Sequence, residues 1–292
     1  MMTKKLLITG VVLTIIGAIA AFVGFSIGAS TNLVWHNGVK IARQSSQTYH
    51  IKHLSQVKHF NFDTSGYNVE FKTGTTASVK VTGSNLVNPK VTQKNGTVTI
   101  DSKTLDAPGM WLSGTQDALI IITLPANTKL DSLSGTIDDG NLDTQAGFTL
   151  QTLDLQLANG NADIHGMTVT NSGRLSLNNG HLNLYGVTFN NATVSQQNGK
   201  LDVESSTLTG GNYSAKNGNQ EFDNTTFNQS VNIHNQNGKV ELESPTTQGY
   251  QLTTQNGHIE LFDHDATNQL NQNESATNKV IISTQNGSIE ID

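Results

Sequence analysis

Carboxylates recur at one fixed place in the second half of this 292-residue chain. Three residues after successive glycines stand Asp143, Asp163, Asn183, Asp202, Glu221, Glu241, Glu260 and Glu290, and two residues further on stand Glu204, Asp223, Glu243 and Asp292. If the chain closes one turn per repeat, these side chains point outward in columns with a spacing of about 4.8 Å. Like charges stacked that closely repel by about 1 kcal/mol per neighbouring pair even in water. Lys200 and Lys239 alone lie close enough to compensate. Such a line attracts cations, so Asp143, Asp163, Asp202, Glu221, Glu241, Glu260 and Glu290 are the candidate cation-binding residues. Weakly held calcium or magnesium is the expected ligand, and no other cofactor is expected. The alternative role is a solvated face whose charge keeps a flat sheet from pairing with other sheets.

Two further stretches gather reactive or adhesive side chains. FDHDATNQLNQNESATNK, from Phe262 to Lys279, is an insertion that carries Asp263, His264, Asp265 and Glu274 on one loop. Oxygen-rich loops hold calcium, but this spacing matches no EF-hand and lacks the glycine of repeat calcium motifs. DAPGMWLSG, from Asp106 to Gly114, sets Met110, Trp111 and Leu112 in a polar loop. An aromatic there either grips a sugar or a membrane or lies as a lid over the end of the core. His50, His53 and His59 fit neither a helical pair nor strand alternation, so no firm metal site is expected.

The residues that must position the acids form a repeated phrase: Asn-Gly, then polar, apolar, acidic, apolar. It reads NGNADI at Asn159, NGHLNL at Asn179, NGKLDV at Asn198, NGNQEF at Asn217, NGKVEL at Asn237, NGHIEL at Asn256 and NGSIEI at Asn286, after a variant DGNLDT at Asp139. Its glycines are 140, 160, 180, 199, 218, 238, 257 and 287, so the separations are 20, 20, 19, 19, 20, 19 and 30. Equal periods of this length mark a solenoid. Counting from each glycine, apolar residues recur at +2 and +4 (Leu182 and Leu184, Leu201 and Val203), at +9 (Val169, Phe189, Leu208, Phe227) and at −5 (Leu175, Val194, Tyr213, Ile233). Three inward strips per coil cannot bury themselves within twenty residues, but stacked coils make one core. The expectation is an all-β, single-stranded parallel β-helix of about 20 residues per coil. Asn159–Gly160, Asn179–Gly180, Asn198–Gly199, Asn217–Gly218, Asn237–Gly238, Asn256–Gly257 and Asn286–Gly287 are its structural turns, both residues tolerating left-handed backbone angles. Asn-Gly also suits a hairpin, so an antiparallel meander is the competing topology. Stacked asparagine side chains can bond to one another along the axis.

The chain begins with a tip, residues 1–5, carrying Lys4 and Lys5, and then runs uncharged from Leu6 to Gly28. Twenty-three such residues suffice to cross a bilayer as a helix. A cleaved signal peptide, with Gly28, Ala29 and Ser30 at the cleavage site, is the alternative. No basic residue follows until Lys40, so the tip is expected in the cytoplasm and everything from Ser30 onward outside. Residues 29–56 read as a stalk, 57–137 as irregular first coils and 138–292 as the regular repeats of one extracytoplasmic domain, 57–292. The absence of cysteine excludes disulfides and thiolate chemistry, and a net charge of −6 without a basic stripe argues against nucleic acid.

The segment IIITLP at Ile120 to Pro125, the following KLDSLSGTIDDGNLD and the Asn-Gly strands, behind an apolar amino terminus, resemble the putative-adhesin family of unknown function. That family, of DUF4097 type, includes LiaG-like and YvlB-like envelope proteins. The resemblance covers roughly Val57 to Asp292 and implies a β-solenoid surface domain with an adhesive role and no catalytic residues. The expected function is a non-enzymatic, membrane-anchored, adhesin-like solenoid that binds or senses a polymer or protein of the cell envelope. The alternative is a polysaccharide lyase or hydrolase, since parallel β-helices include such enzymes. Their acids sit in clefts walled by long loops, whereas pairs such as Asp202 and Glu204 would work here in open water.

Overall fold

The computed structural model describes residues 2–26, 32–104, 108–111, 118–145 and 147–292. Two compact units emerge. The smaller holds the helix Met2–Ser26 and a three-stranded antiparallel sheet. In that sheet Asn32–Trp35 lies between Val39–Ile41 and Gly109–Trp111. The span Lys4–Gly24 has a mean hydropathy of 2.7 and no buried residues, so it is long and apolar enough to cross a membrane as either an anchor or a signal segment. The helix starts at Met2, which places Lys4 and Lys5 inside its first turns rather than before it. Gly28, Ala29 and Ser30 lie outside the described residues.

The larger unit is a parallel β-solenoid. One coil shows how the sequence builds it: Leu182–Tyr185, Thr188–Asn190 and Ala192–Asn198 are its three strands. Each strand pairs in parallel with its counterpart one coil on, Leu182 with Leu201, Phe189 with Leu208 and Val194 with Tyr213. Parallel pairing between consecutive repeats rules out the meander. The inward strips at +2, +4 and −5 are buried along the regular repeats, and so are Val169, Phe189, Leu208 and Phe227 at +9. Two more inward columns mix apolar residues with small or polar ones. At −7 stand Leu153, Ala192, Val231, Tyr250 and Val280, and at −3 stand Leu157, Leu177, Gln196, Ala215, Asn235, Thr284 and Thr254, all buried. The interior amides hold the corner backbone: Gln196 Nε2 donates to the carbonyls of Gly180 and Lys200 at 2.6 and 3.0 Å. Asn235 Nδ2 does the same to Gly218 and Lys239 at 2.9 and 3.3 Å.

At the corner only glycine takes the unusual backbone angle. Gly160, Gly180, Gly199, Gly218 and Gly238 have φ between +134° and +144°, whereas the asparagine before each stays in its strand. A Cβ on Gly199 would collide with the carbonyl oxygen of Gly180 in the previous coil. The asparagines ladder through their side chains instead.

The ends depart from chain order. The final pair of strands, Lys279–Asn286 and Ile289–Ile291, inserts between the coils of Gly238 and Gly257, so Ile289 pairs with Val240 on one side and Ile259 on the other. The stretch Ser288 to Asp292 is therefore not the free edge that a simple winding predicts. The outermost coil instead has its edges covered by antiparallel strands of the insertion, His264–Ala266 against Ile259–Leu261 and Gln269–Gln272 against Gly249–Asn256. The other end is built alike. His59–Ser65 sits between Lys129–Asp139 and Thr97–Lys103, and Lys90–Lys94 closes the row antiparallel to Thr97–Lys103. These short antiparallel strands become the edges of the sheets themselves, which blunts the parallel stack against addition of other sheets. Gln44–His50, in the expected stalk, is the edge strand of the other wall.

Candidate functional site

The acids three residues past each glycine form one outward column on the short-strand wall. Its spatial order is Glu70, Asp143, Asp163, Asn183, Asp202, Glu221, Glu241, Glu290 and Glu260. Glu70 was not legible from the repeat, because its corner carries one extra residue, Gly66-Tyr67-Asn68 in place of Gly-Asn. The phrase Val69-Glu70-Phe71 was the available signal.

This column is relieved far more than the sequence suggests. Lys200 Nζ lies 2.7 Å from Asp202 and 2.5 Å from Glu221, bridging two coils. Lys239 bridges Glu241, at 3.1 Å, and Glu290 in the inserted strand. Lys72 pairs with Glu70 at 2.7 Å. Asn183 Nδ2 donates to Asp163 at 2.5 Å, and Gln145 Nε2 to Asp143 at 2.9 Å. Partial burial acts to lower the Lys200 pKa, but hydrogen bonds and the charges of Asp202 and Glu221 outweigh it and the ammonium titrates above the ordinary lysine range. Lys239 behaves the same way between Glu290 and Glu241.

The row two residues further on is different. Its order is His165, Tyr185, Glu204, Asp223 and Glu243, with Asp292 beside Glu243 through the bond from Ser244 N to Asp292 O. Asp223 accepts from Asn224 Nδ2 at 2.9 Å. Among the described residues no ion pair or side-chain hydrogen bond engages Glu204, Glu243 or Asp292. At one end of the row the rings of His165 and Tyr185 meet at 5.6 Å, and Tyr185 is 47% exposed. Between column and row runs an open groove of about 470 Å³ whose lining includes Asp163, Tyr185, Asp202, Glu204, Asp223 and Glu243.

The insertion does not gather its own acids. Asp265 instead faces His258 Nε2 at 2.9 Å, near Glu260, its cross-strand partner. Glu274 accepts from Asn271 at 3.0 Å. His50, His53 and His59 come into no ligand-spaced cluster among the described residues, and His59 bonds Ser132 at 2.8 Å. Met110 and Trp111 belong to the strand Gly109–Trp111 of the smaller unit, not to a loop, and Leu112 lies outside the described residues.

The profile of the Toastrack DUF4097 family matches residues 57–292. Among solved structures, a putative adhesin from Bacteroides fragilis is 16% identical, with 86% of this chain and 97% of that one aligned at a TM-score of 0.51. Putative adhesins from Parabacteroides distasonis and Parabacteroides merdae align at 13% and 12% identity. They cover 86% and 85% of this chain and 97% and 96% of theirs, with TM-scores of 0.48 and 0.46. The Bacteroides likeness is one of fold. No curated protein matches the chain.

Proposed function

Because this chain belongs to the Toastrack DUF4097 family, we propose that it is a non-enzymatic surface protein, held to the cell membrane by Met2–Ser26, whose short-strand wall binds cationic groups at the envelope. The supporting observation is the contrast between the two acidic lines. Lysines and amides meet most of the column, whereas Glu204, Glu243 and Asp292, which share one row with Asp223, have no such partner among the described residues. Hard carboxylate oxygens favour calcium, magnesium or ammonium groups, and an open wall suits a polymer or protein partner better than an enclosed small molecule.

The geometry also favours binding over polysaccharide cleavage. The insertion covers the end of the stack and contributes no wall to the groove, so among the described residues no loop excludes water from the carboxylates there. Lys4 and Lys5 orient the helix with its amino terminus inside. Protease added to intact cells is expected to digest the solenoid and leave the helix. Protection of the whole chain would refute the topology. Calcium titrated into the full-length protein in neutral detergent is expected to bind, and Glu204→Gln, Asp223→Asn, Glu243→Gln together are expected to remove most of that binding. Unchanged binding would refute the assignment of the row.

A further inference from the structure

Seven corner glycines donate their backbone N–H to the corner asparagine carbonyl of the neighbouring coil at 2.9–3.0 Å: Gly140, Gly160, Gly180, Gly199, Gly218, Gly238 and Gly287. Gly257, in the outermost coil, has no coil beyond it, and its N–H meets no acceptor among the described residues. The side-chain ladder ends there too. Asn256 donates Nδ2 to Asn286 at 2.9 Å, while its own Oδ1 receives no rung. Asn256 is exposed.

We propose that Asn256–Gly257 is a site of spontaneous modification, at which the Asn256 amide converts to aspartate and isoaspartate. The backbone nitrogen of Gly257 loses its proton to hydroxide and bonds to Asn256 Cγ. The Cγ–Nδ2 bond breaks, and the amide nitrogen leaves as ammonia after taking a proton from water. Water then opens the resulting five-membered imide at either carbonyl, giving aspartate or isoaspartate. The step needs no oxidant or reductant.

Attack requires a free glycine nitrogen and rotation about the bonds between it and the side-chain carbon. In inner coils the nitrogen is held by a ladder bond and the asparagine by a rung on each side, so reaction there waits for local opening. At Asn256 both restraints are reduced. Glycine also puts no side chain in the path of attack.

The product has a defined consequence. A carboxylate at position 256 cannot donate to Asn286 Oδ1, and it places negative charge against an acceptor. Isoaspartate also adds a methylene to the main chain beside the capping strand. Modification therefore loosens the outermost coil and its cap while leaving inner coils intact, and it marks the age of the molecule.

The test is peptide mapping of the full-length folded protein after prolonged incubation at mildly alkaline pH. The peptide containing Asn256 is expected to convert more than about tenfold faster than those containing Asn179, Asn198 and Asn217, and in denaturant this gap is expected to close. Equal rates in the folded protein, or a gap that persists in denaturant, would overturn the proposal. Asn256→Asp, which needs no incubation, is expected to speed proteolytic cutting within 262–279 without changing the unfolding midpoint of the stack by more than a small fraction. Unchanged cutting would overturn the proposed loosening of the cap.

Discussion

Asn159 donates its side-chain Nδ2 to the Asp139 carboxylate at 2.9 Å, and this contact ends a ladder that runs through every regular coil. Asn256 donates to Asn286, Asn286 to Asn237, and the series continues through Asn217, Asn198, Asn179 and Asn159 at 2.8–2.9 Å. Every amide points the same way, so the donor ends of the aligned dipoles face the one carboxylate. The variant first copy of the phrase, Asp-Gly in place of Asn-Gly, thus supplies the charge that suits that end. Aligned hydrogen bonds of this kind polarise and reinforce one another.

Removing an inner rung should therefore cost more than removing an end rung. Asn198→Ala loses a donor and an acceptor at once and is expected to destabilise the protein by about 2 kcal/mol, against about 1 kcal/mol for Asp139→Ala. Urea unfolding monitored by circular dichroism gives the comparison. Equal losses would show that the rungs are independent of their place in the ladder.

The corners predict a second contrast. Gly199→Ala drives a methyl into the carbonyl oxygen of Gly180 and should prevent the coils from closing, with a loss of more than about 3 kcal/mol or failure to fold. Gly186→Ala also sits at positive φ, +61°, but meets nothing within 4 Å, so only the backbone preference is lost, about 1 kcal/mol. Thermal melts of both variants are the measurement, and similar losses would contradict the close approach at the corner.

Alkaline pH should weaken the stack. The buried Tyr213 hydroxyl lacks a hydrogen-bond partner among the described residues, and burial raises its pKa, so its neutral form is strongly held in the folded state. Lys200 and Lys239 are raised as well. A group raised in the folded state contributes stability that is full below its unfolded pKa and is lost as pH climbs through the folded value. All three losses therefore begin near pH 10 and grow above it. Tyr213→Phe removes an unpaired hydroxyl, so it should raise stability at neutral pH by about 1 kcal/mol and flatten the alkaline decline. Urea midpoints across the alkaline range, in parent and variant, test both signs.

The regular coils were open to reading because each repeat shows an alternating apolar strand at the same distance from its glycine. Their stacking order at the carboxyl end was not. NGHIEL and NGSIEI offer equivalent strands, and what decides their order is the insertion between them, long enough to return the chain past its own last coil and cover it. The polar interior at Gln196 and Asn235 was also hidden, since a buried amide and an exposed one look alike in sequence. The acidic column was visible as a line, but its neutralisation depends on Lys200 and Lys239 each reaching across two coils. That cross-coil reach is set by the stack rather than by any one repeat.

Matched-salt melting tests directly whether cations settle, as proposed, on the row of Glu204, Asp223, Glu243 and Asp292. Full-length protein in neutral detergent is melted in calcium chloride and in sodium chloride of equal ionic strength. Screening acts alike in both, whereas an ion bound to the folded state adds stability by mass action. Calcium is expected to give the higher midpoint, and Glu204→Gln, Asp223→Asn, Glu243→Gln together should erase the difference while Glu221→Gln, Glu241→Gln, Glu260→Gln leave most of it. Equal midpoints in the two salts for the parent protein, or a difference that survives in the row variant, would contradict the account.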